Sequence, residues 1–206
     1  EKQMAGSDVV PVIISDEVAL DADGISTAAS VGNNAALTIG GALASGGSVT
    51  NASGRQVTIL SAGNDSGISF TVVGTDVNGS ALSETVTGAN AGTATSSGYF
   101  KTITSITAVG NPAGNVSAGI NNNALGVVFA GRCRLQGFSV YSGGSAGKLN
   151  IRNSGATGTE LIQARTIGTD SSSEDPFVPS DGVLFKDGCF VTFIVGTVDL
   201  MMFYHA

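Results

Sequence analysis

Apolar and polar residues alternate over long stretches of this chain, as they do in half-buried β-strands. In "SGISFTVVGTD", residues 66–76, the apolar residues Ile, Phe and Val recur at every second position. Asn78-Gly79 follows, a pair that favours the positive φ angles of a tight hairpin turn. "ALSETVTG", residues 81–88, then resumes the alternation. This stretch therefore predicts a β-hairpin.

Further runs of the same kind predict two β domains. Residues 54–122 are predicted to form a β-meander or sandwich domain. The pattern restarts after residue 122, and its turn spacing predicts a C-terminal antiparallel β-sandwich domain over 123–206. The last two strands, within 189–206, are apolar on both faces, so we expect them inside a sheet or under a partner subunit.

The first 53 residues are predicted to be an arm followed by a strand-poor segment rich in Gly, Ala and Asn. "DVVPVIISDEVAL", residues 8–20, is extended and β-branched. Pro11 cannot donate a ladder hydrogen bond, so this segment suits an edge strand or an arm lying on a neighbour. No segment has a helical period. The predicted fold class is all-β, with two antiparallel β-sandwich or jelly-roll-like domains and an extended N-terminal arm.

The net charge of the chain limits the kinds of partner that it is expected to bind. The net charge is −7 and the nine basic residues are scattered, which argues against nucleic acid. Residues 1–122 carry three basic and nine acidic residues, and 123–206 carry six and seven, which supports a boundary near 122. The most apolar stretch alternates like a strand and contains Gly196 and Asp199, so no membrane segment is predicted. Residues 1–10 lack the features of a signal peptide.

Cys133 and Cys189 are the only cysteines. Two reduced, buried thiols are one interpretation, and a single bridge between neighbouring strands is the other. Their spacing matches no metal motif, and no metal or cofactor is predicted.

One motif raises the hypothesis of a hydrolase. "GGSAG" around Ser145 fits the G-x-S-x-G pattern of a nucleophile elbow, and Asp187 or Asp199 and then His205 follow in a fitting order. An elbow needs a strand before it and a helix after it, whereas strands are predicted on both sides. We therefore expect Ser145 to be a turn residue and the chain not to be an enzyme.

Two acidic stretches raise the hypothesis of cation binding. Asp21 and Asp23 stand one residue apart before a glycine, and the alternative for them is a solvated Asx turn. Asp170, Glu174 and Asp175 fall in one stretch, for which an exposed acidic loop is the alternative.

Three strand patterns, "SAGNDSGISFTVVGTD", "SETVTGANAGT" and "YFKTITSIT", lie within residues 54–110. This region resembles a module of virion proteins of tailed phages, notably marine and cyanobacterial ones. "VPSDGVLFKDGCFVTF" and "VDLMMFYHA" resemble the end of small structural proteins encoded among phage capsid and tail genes. The resemblance does not extend to residues 1–53. It implies a structural protein of the phage particle and no catalytic residues.

The sequence hypothesis is therefore a non-enzymatic virion protein that decorates or cements a phage capsid, as a homotrimer bound to the major capsid protein or other virion proteins. The alternatives are a tail, fibre or adhesin-like component, and an extracellular filament or surface-layer subunit. An arm that adds a strand to a neighbour would contribute by β-augmentation. The predicted interface residues are Val9, Val10, Val12, Ile13, Ile14, Met201, Met202, Phe203 and Tyr204.

Overall fold

A computed structural model of the chain describes residues 9–15, 20–142, 146–167, 173–179, 181–195 and 198–206. Within these residues it contains sixteen strands in antiparallel sheets and no helix, which confirms the all-β prediction. The strands are β1 Val10–Ser15, β2 Asp21–Ser30, β3 Ala44–Ser45, β4 Ser48–Ser61, β5 Ser69–Thr75, β6 Ala81–Thr87, β7 Thr93–Thr95, β8 Phe100–Val109, β9 Asn115–Phe129, β10 Cys133–Ser142, β11 Ala146–Asn153, β12 Glu160–Ile167, β13 Ser173–Glu174, β14 Val183–Phe185, β15 Cys189–Val195 and β16 Val198–His205.

The chain divides into two compact units. The central unit is Val18–Ala124, and the terminal unit combines Glu1–Glu17 with Leu125–Ala206. The division lies close to the boundary predicted after residue 122, but no turn separates the units there. β9 runs through Ala124 and contributes to both.

In the central unit, the strands follow the order β9-β4-β8-β5-β6, with β2 beside β9 and both β3 and β7 beside β4. Its core is built by every second residue of these strands, as the alternation predicts. The largest fully buried apolar side chains of this core are Ile25, Ile59, Phe70, Phe100, Ile103, Ile106 and Ile120.

The predicted hairpin is present as β5 and β6, with Phe70 opposite Val86 and Thr75 opposite Ala81. Its turn is longer than the sequence pattern indicates. Asp76 Oδ1 accepts hydrogen bonds from the backbone N–H groups of Asn78, at 2.8 Å, and Ser80, at 2.9 Å. Gly79 alone takes a positive φ, 83°, so the Asn-Gly pair is not the two-residue turn that we predicted.

The strand order differs from that of a simple meander. β8 lies between β4 and β5 and pairs with both, instead of following β6 at the sheet edge. The register of β5 against β8 shifts at Gly74, where a Cβ would clash with the carbonyl oxygen of Thr102. Glycine is required at this position because the two backbones approach closely.

Residues 21–53, predicted to be poor in strands, contain β2, β3 and the start of β4. They also place Ile25, Val31, Leu37 and Val49 in the core. Gly and Ala obscured the pattern in the sequence because few large apolar residues mark the buried face.

The run Asn121–Asn123 is also a strand, although its polarity suggested a break. Gln56 Oε1 accepts hydrogen bonds from the side-chain amides of Asn121 and Asn123, each at 2.9 Å. Cross-strand amide pairing therefore satisfies these polar groups within the sheet.

The terminal unit contains two strand sets. One has the order β1-β16-β10-β13, with β14 also beside β10, and the other has the order β12-β11-β15-β9. β15 and β16 are interior strands, as their apolar faces predicted. Side chains of the two sets meet: the rings of Phe129 and Tyr204 stack at 5.2 Å, and a Cβ at Gly126 would lie 2.8 Å from Ile14. No described helix is long and apolar enough to cross a membrane.

Candidate functional site

The predicted arm, β1, pairs with the last strand of the same chain. Its antiparallel register places Val12 opposite Met202 and Ile13 opposite Met201. β1 ends the described strand order, so the edge-strand interpretation of Pro11 agrees with the structure. The two predicted interface segments, although nearly 190 residues apart in sequence, therefore form one structural element.

Side-chain alternation divides this element into two faces. Ile14, Leu200, Met202 and Tyr204 are buried, and Val12 is half-buried. These residues belong to the core of the terminal unit. They stabilise the fold and are not available for a partner in the folded chain.

The opposite face is apolar and exposed. Ile13 is 73% exposed, Met201 41% and Phe203 36%. Pro11, opposite Phe203, is also exposed. We call the outward side of β1, β16 and β10 the outer face of the terminal unit.

β10 extends the outer face beyond the segments that the sequence singled out. Ser139 lies opposite Met201, and Gly137 lies opposite Phe203. A Cβ built at Gly137 would have the ring of Phe203 as its nearest neighbour, at 4.0 Å. Tyr141, at the other end of the strand, is 43% exposed. The face is therefore a small apolar surface with a tyrosine and a serine at one side.

Five of the nine predicted interface residues are exposed in the structure. Val9, Val10, Ile13, Met201 and Phe203 are exposed, Val12 is half-buried, and Ile14, Met202 and Tyr204 are buried. Sequence reasoning missed Pro11, Ser139 and Tyr141 as parts of this face. The alternation in "FSVYS", residues 138–142, carried the signal for the last two, but only the pairing of β10 with β16 shows which strand they adjoin.

Of the predicted hydrolase residues, the structure describes the side chains of Asp187 and His205. Ser145 lies outside the described residues, and the side chain of Asp199 does too. His205 is exposed at the end of β16. Asp187 and Asn153 exchange two hydrogen bonds, at 2.9 and 3.0 Å, which join the turn before β15 to the end of β11. Asp187 therefore has a structural role.

The first acidic candidates, Asp21 and Asp23, lie at the start of β2. Asp21 Oδ1 accepts a hydrogen bond from the backbone N–H of Asp23 at 3.3 Å, the contact of an Asx turn. Asp175 is exposed, whereas Asp170 and the side chain of Glu174 lie outside the described residues. Among the described residues, no group of three or more His, Cys, Asp or Glu side chains could hold a metal ion.

Cys133 and Cys189 are free thiols, and both are buried. The neighbouring Cys133 thiol first, and burial after it, raises the pKa of Cys189, while the Cys189 thiol lowers the pKa of Cys133. Of the two interpretations left open by the sequence, the structure has the reduced, buried thiols and not the bridge.

Comparison of the chain with protein-family models, with curated proteins and with solved structures gives no match.

Proposed function

We propose that this chain is a non-enzymatic structural subunit of a phage virion, which decorates the capsid. It would associate with copies of itself, as a closed trimer, through the outer face of the terminal unit. We also propose that the C-terminal domain has the jelly-roll-like sandwich architecture that the sequence predicts. The resemblance of residues 54–110 and of the C-terminal strands to phage structural proteins supports a structural role in a virion, without fixing the position in the particle.

One observation carries the proposal: the exposed apolar outer face. Ile13, Met201 and Phe203 lie side by side on adjacent strands and face away from the core. Contiguous apolar surface of this kind in a soluble protein marks an interaction site. Nothing in the folding of the terminal unit requires these residues to be apolar, because their neighbours on the same strands already build the core.

The edge position of β1 offers a second type of contact with a partner. An edge strand presents unpaired N–H and C=O groups that can bind another strand. Pro11 removes one donor from this edge, which limits open-ended pairing. The combination of an apolar face and a partly blocked edge favours a closed oligomer over a filament.

The oligomer mass of the purified chain tests the interface, with Ile13→Glu as the disrupting variant. Val73→Glu is the matched control, because Val73 is an exposed aliphatic residue on a strand of the central unit. Sedimentation should show a discrete trimer for the wild type and the control, and monomer for Ile13→Glu. Equal masses for all three proteins would remove the outer face from the interface.

The copy number in purified virions, measured by quantitative mass spectrometry, tests the location separately. Hundreds of copies per particle would support capsid decoration. About a dozen or fewer would favour a tail component, since tails have low-order symmetry. Fibres formed by the isolated chain, without any virion that contains it, would favour the filament alternative.

A further inference from the structure

Cys133 and Cys189 lie where the two strand sets of the terminal unit meet. Cys133 begins β10, which pairs with β16, and Cys189 begins β15, which pairs with β11. Their exposed fractions are 2% and 0%. A covalent bond between them would therefore join the two sets directly.

The backbone brings these residues together in two steps. Phe185, in β14, lies opposite Cys133, and the chain then leaves that set and joins the other at Cys189. Gly188 makes this transition with a φ of 104°, which favours glycine. A Cβ at Gly188 would lie 3.0 Å from the carbonyl oxygen of Ala130, so the segments that precede the two cysteines run side by side.

The two thiols also differ in acidity. The neighbouring Cys189 lowers the pKa of Cys133, whereas Cys133 raises the pKa of Cys189, so Cys133 is the first of the pair to become a thiolate.

We propose that Cys133 and Cys189 form an intramolecular disulfide when the folded chain meets a low-molecular-weight disulfide such as oxidised glutathione. The Cys133 thiolate attacks one sulfur of the reagent, which releases one small thiol and leaves a mixed disulfide. The Cys189 thiolate then attacks the Cys133 sulfur and releases the second small thiol. The two protein thiols are oxidised, the reagent is reduced to two thiols, and the cysteine protons pass to solvent or to the departing thiolates.

Burial determines when this bond forms. Neither sulfur is exposed to a reagent in the folded chain. Oxidation therefore requires a local opening of the segments around the two cysteines, or it takes place during folding. Once it is formed, the buried disulfide is shielded from reductants. The bond closes a loop of about 55 residues, and loops of this length restrict the unfolded chain strongly.

The test compares the two redox states of the wild-type chain. The protein is refolded from denaturant in either oxidised glutathione or dithiothreitol and examined by intact mass, thiol titration in denaturant and thermal unfolding. Relative to the protein refolded in dithiothreitol, we expect the single chain refolded in oxidised glutathione to be lighter by two hydrogen atoms and to have no titratable thiol. Its melting temperature should be higher by roughly 5 °C or more. Native protein incubated with the same disulfide should reach this state more slowly.

The variant Cys133→Ala/Cys189→Ala is the control, and its melting temperature should be equal under both conditions. Because the main comparison uses one sequence in two states, a loss of stability in this variant does not affect it. A stable glutathione adduct, disulfide-linked dimers, or two thiols that persist after oxidative refolding would overturn the proposal.

Discussion

The two units carry different outward-facing residues on neighbouring strands. In the central unit, Thr85, Thr71 and Thr107 form a row across β6, β5 and β8 on the outward side. In the terminal unit, the equivalent position on two adjacent strands is taken by Ile13 and Met201. Folding requires only that the inner face be apolar. Folding therefore does not account for the difference between these outward residues.

Threonine suits an exposed strand because its branched side chain favours β structure and its hydroxyl is hydrated. An outward Met or Phe has no such compensation. Burying apolar surface against a partner yields about 25 cal/mol for each Å² removed from water. In the proposed oligomer, association would bury the outer face of the terminal unit, whereas the threonine row is suited to water.

The largest expected effect separates the two faces of β16. Met202 is fully buried, and Met202→Ala should destabilise the fold by about 2–5 kcal/mol, because it removes core contacts and leaves a cavity. Its neighbour Met201 points outward, and Met201→Ala should change the stability of the monomer by about 0.5 kcal/mol or less. Denaturant unfolding followed by circular dichroism measures both. Equal losses in the two variants would show that the alternation of β16 is misassigned.

The next effect concerns association. Phe203 lies over Gly137 on the outer face, and a partly exposed aromatic of this kind is a typical binding hot spot. Phe203→Ala should raise the dissociation constant of the oligomer about tenfold or more. The control is Val73→Ala, a truncation on the outward side of the central unit, which should leave the constant unchanged. Dilution series in sedimentation velocity measure this constant, and a similar shift in both variants would contradict the contrast between the two faces.

A smaller effect is expected at the edge of the threonine-bearing sheet. The Glu84 carboxylate accepts hydrogen bonds from the backbone N–H groups of Ser97, at 2.6 Å, and Gly98, at 2.7 Å. It holds this segment beside the edge strand β6. Glu84→Gln should destabilise the central unit by about 1–2 kcal/mol, because one strong acceptor becomes a donor that faces another donor.

Denaturant unfolding also measures the effect of Glu84→Gln, and its oligomer mass should stay that of the wild type. Glu160→Gln is a useful control, since Glu160 makes a partly exposed ion pair with Arg152 at 3.2 Å and should contribute less. If Glu84→Gln is the milder of the two, the carboxylate does not hold the 97–98 segment in place.

Local patterns predicted local structure in this chain. The hairpin of β5 and β6 and the interior positions of β15 and β16 followed from alternation alone. The long-range pairing did not. No periodicity indicates that β1 pairs with β16 or that β8 enters between β4 and β5, because register between distant strands depends on tertiary packing.

The same limit applied to the candidate interface. The sequence identified apolar segments at both ends of the chain but could not tell Ile13 from Ile14, since either parity gives an apolar face. Where both faces of a strand are apolar, the alternation rule has no polar side to mark as outward. The division into core and outer face needed the pairing partner.

The smallest expected effect tests whether the threonine row is merely solvated. Thr71 is central in that row and half-buried. Thr71→Val keeps the side-chain shape and the β-branching, so the free energy of unfolding should stay within about 0.5 kcal/mol of the wild type, and the oligomer mass should not change. A row that only meets water tolerates this change, whereas a row that meets a partner through its hydroxyls does not. A loss above about 1 kcal/mol in the free energy of association, with the fold intact, would mean that both units present an interface. The two units would then differ in the chemistry of the partners that they bind.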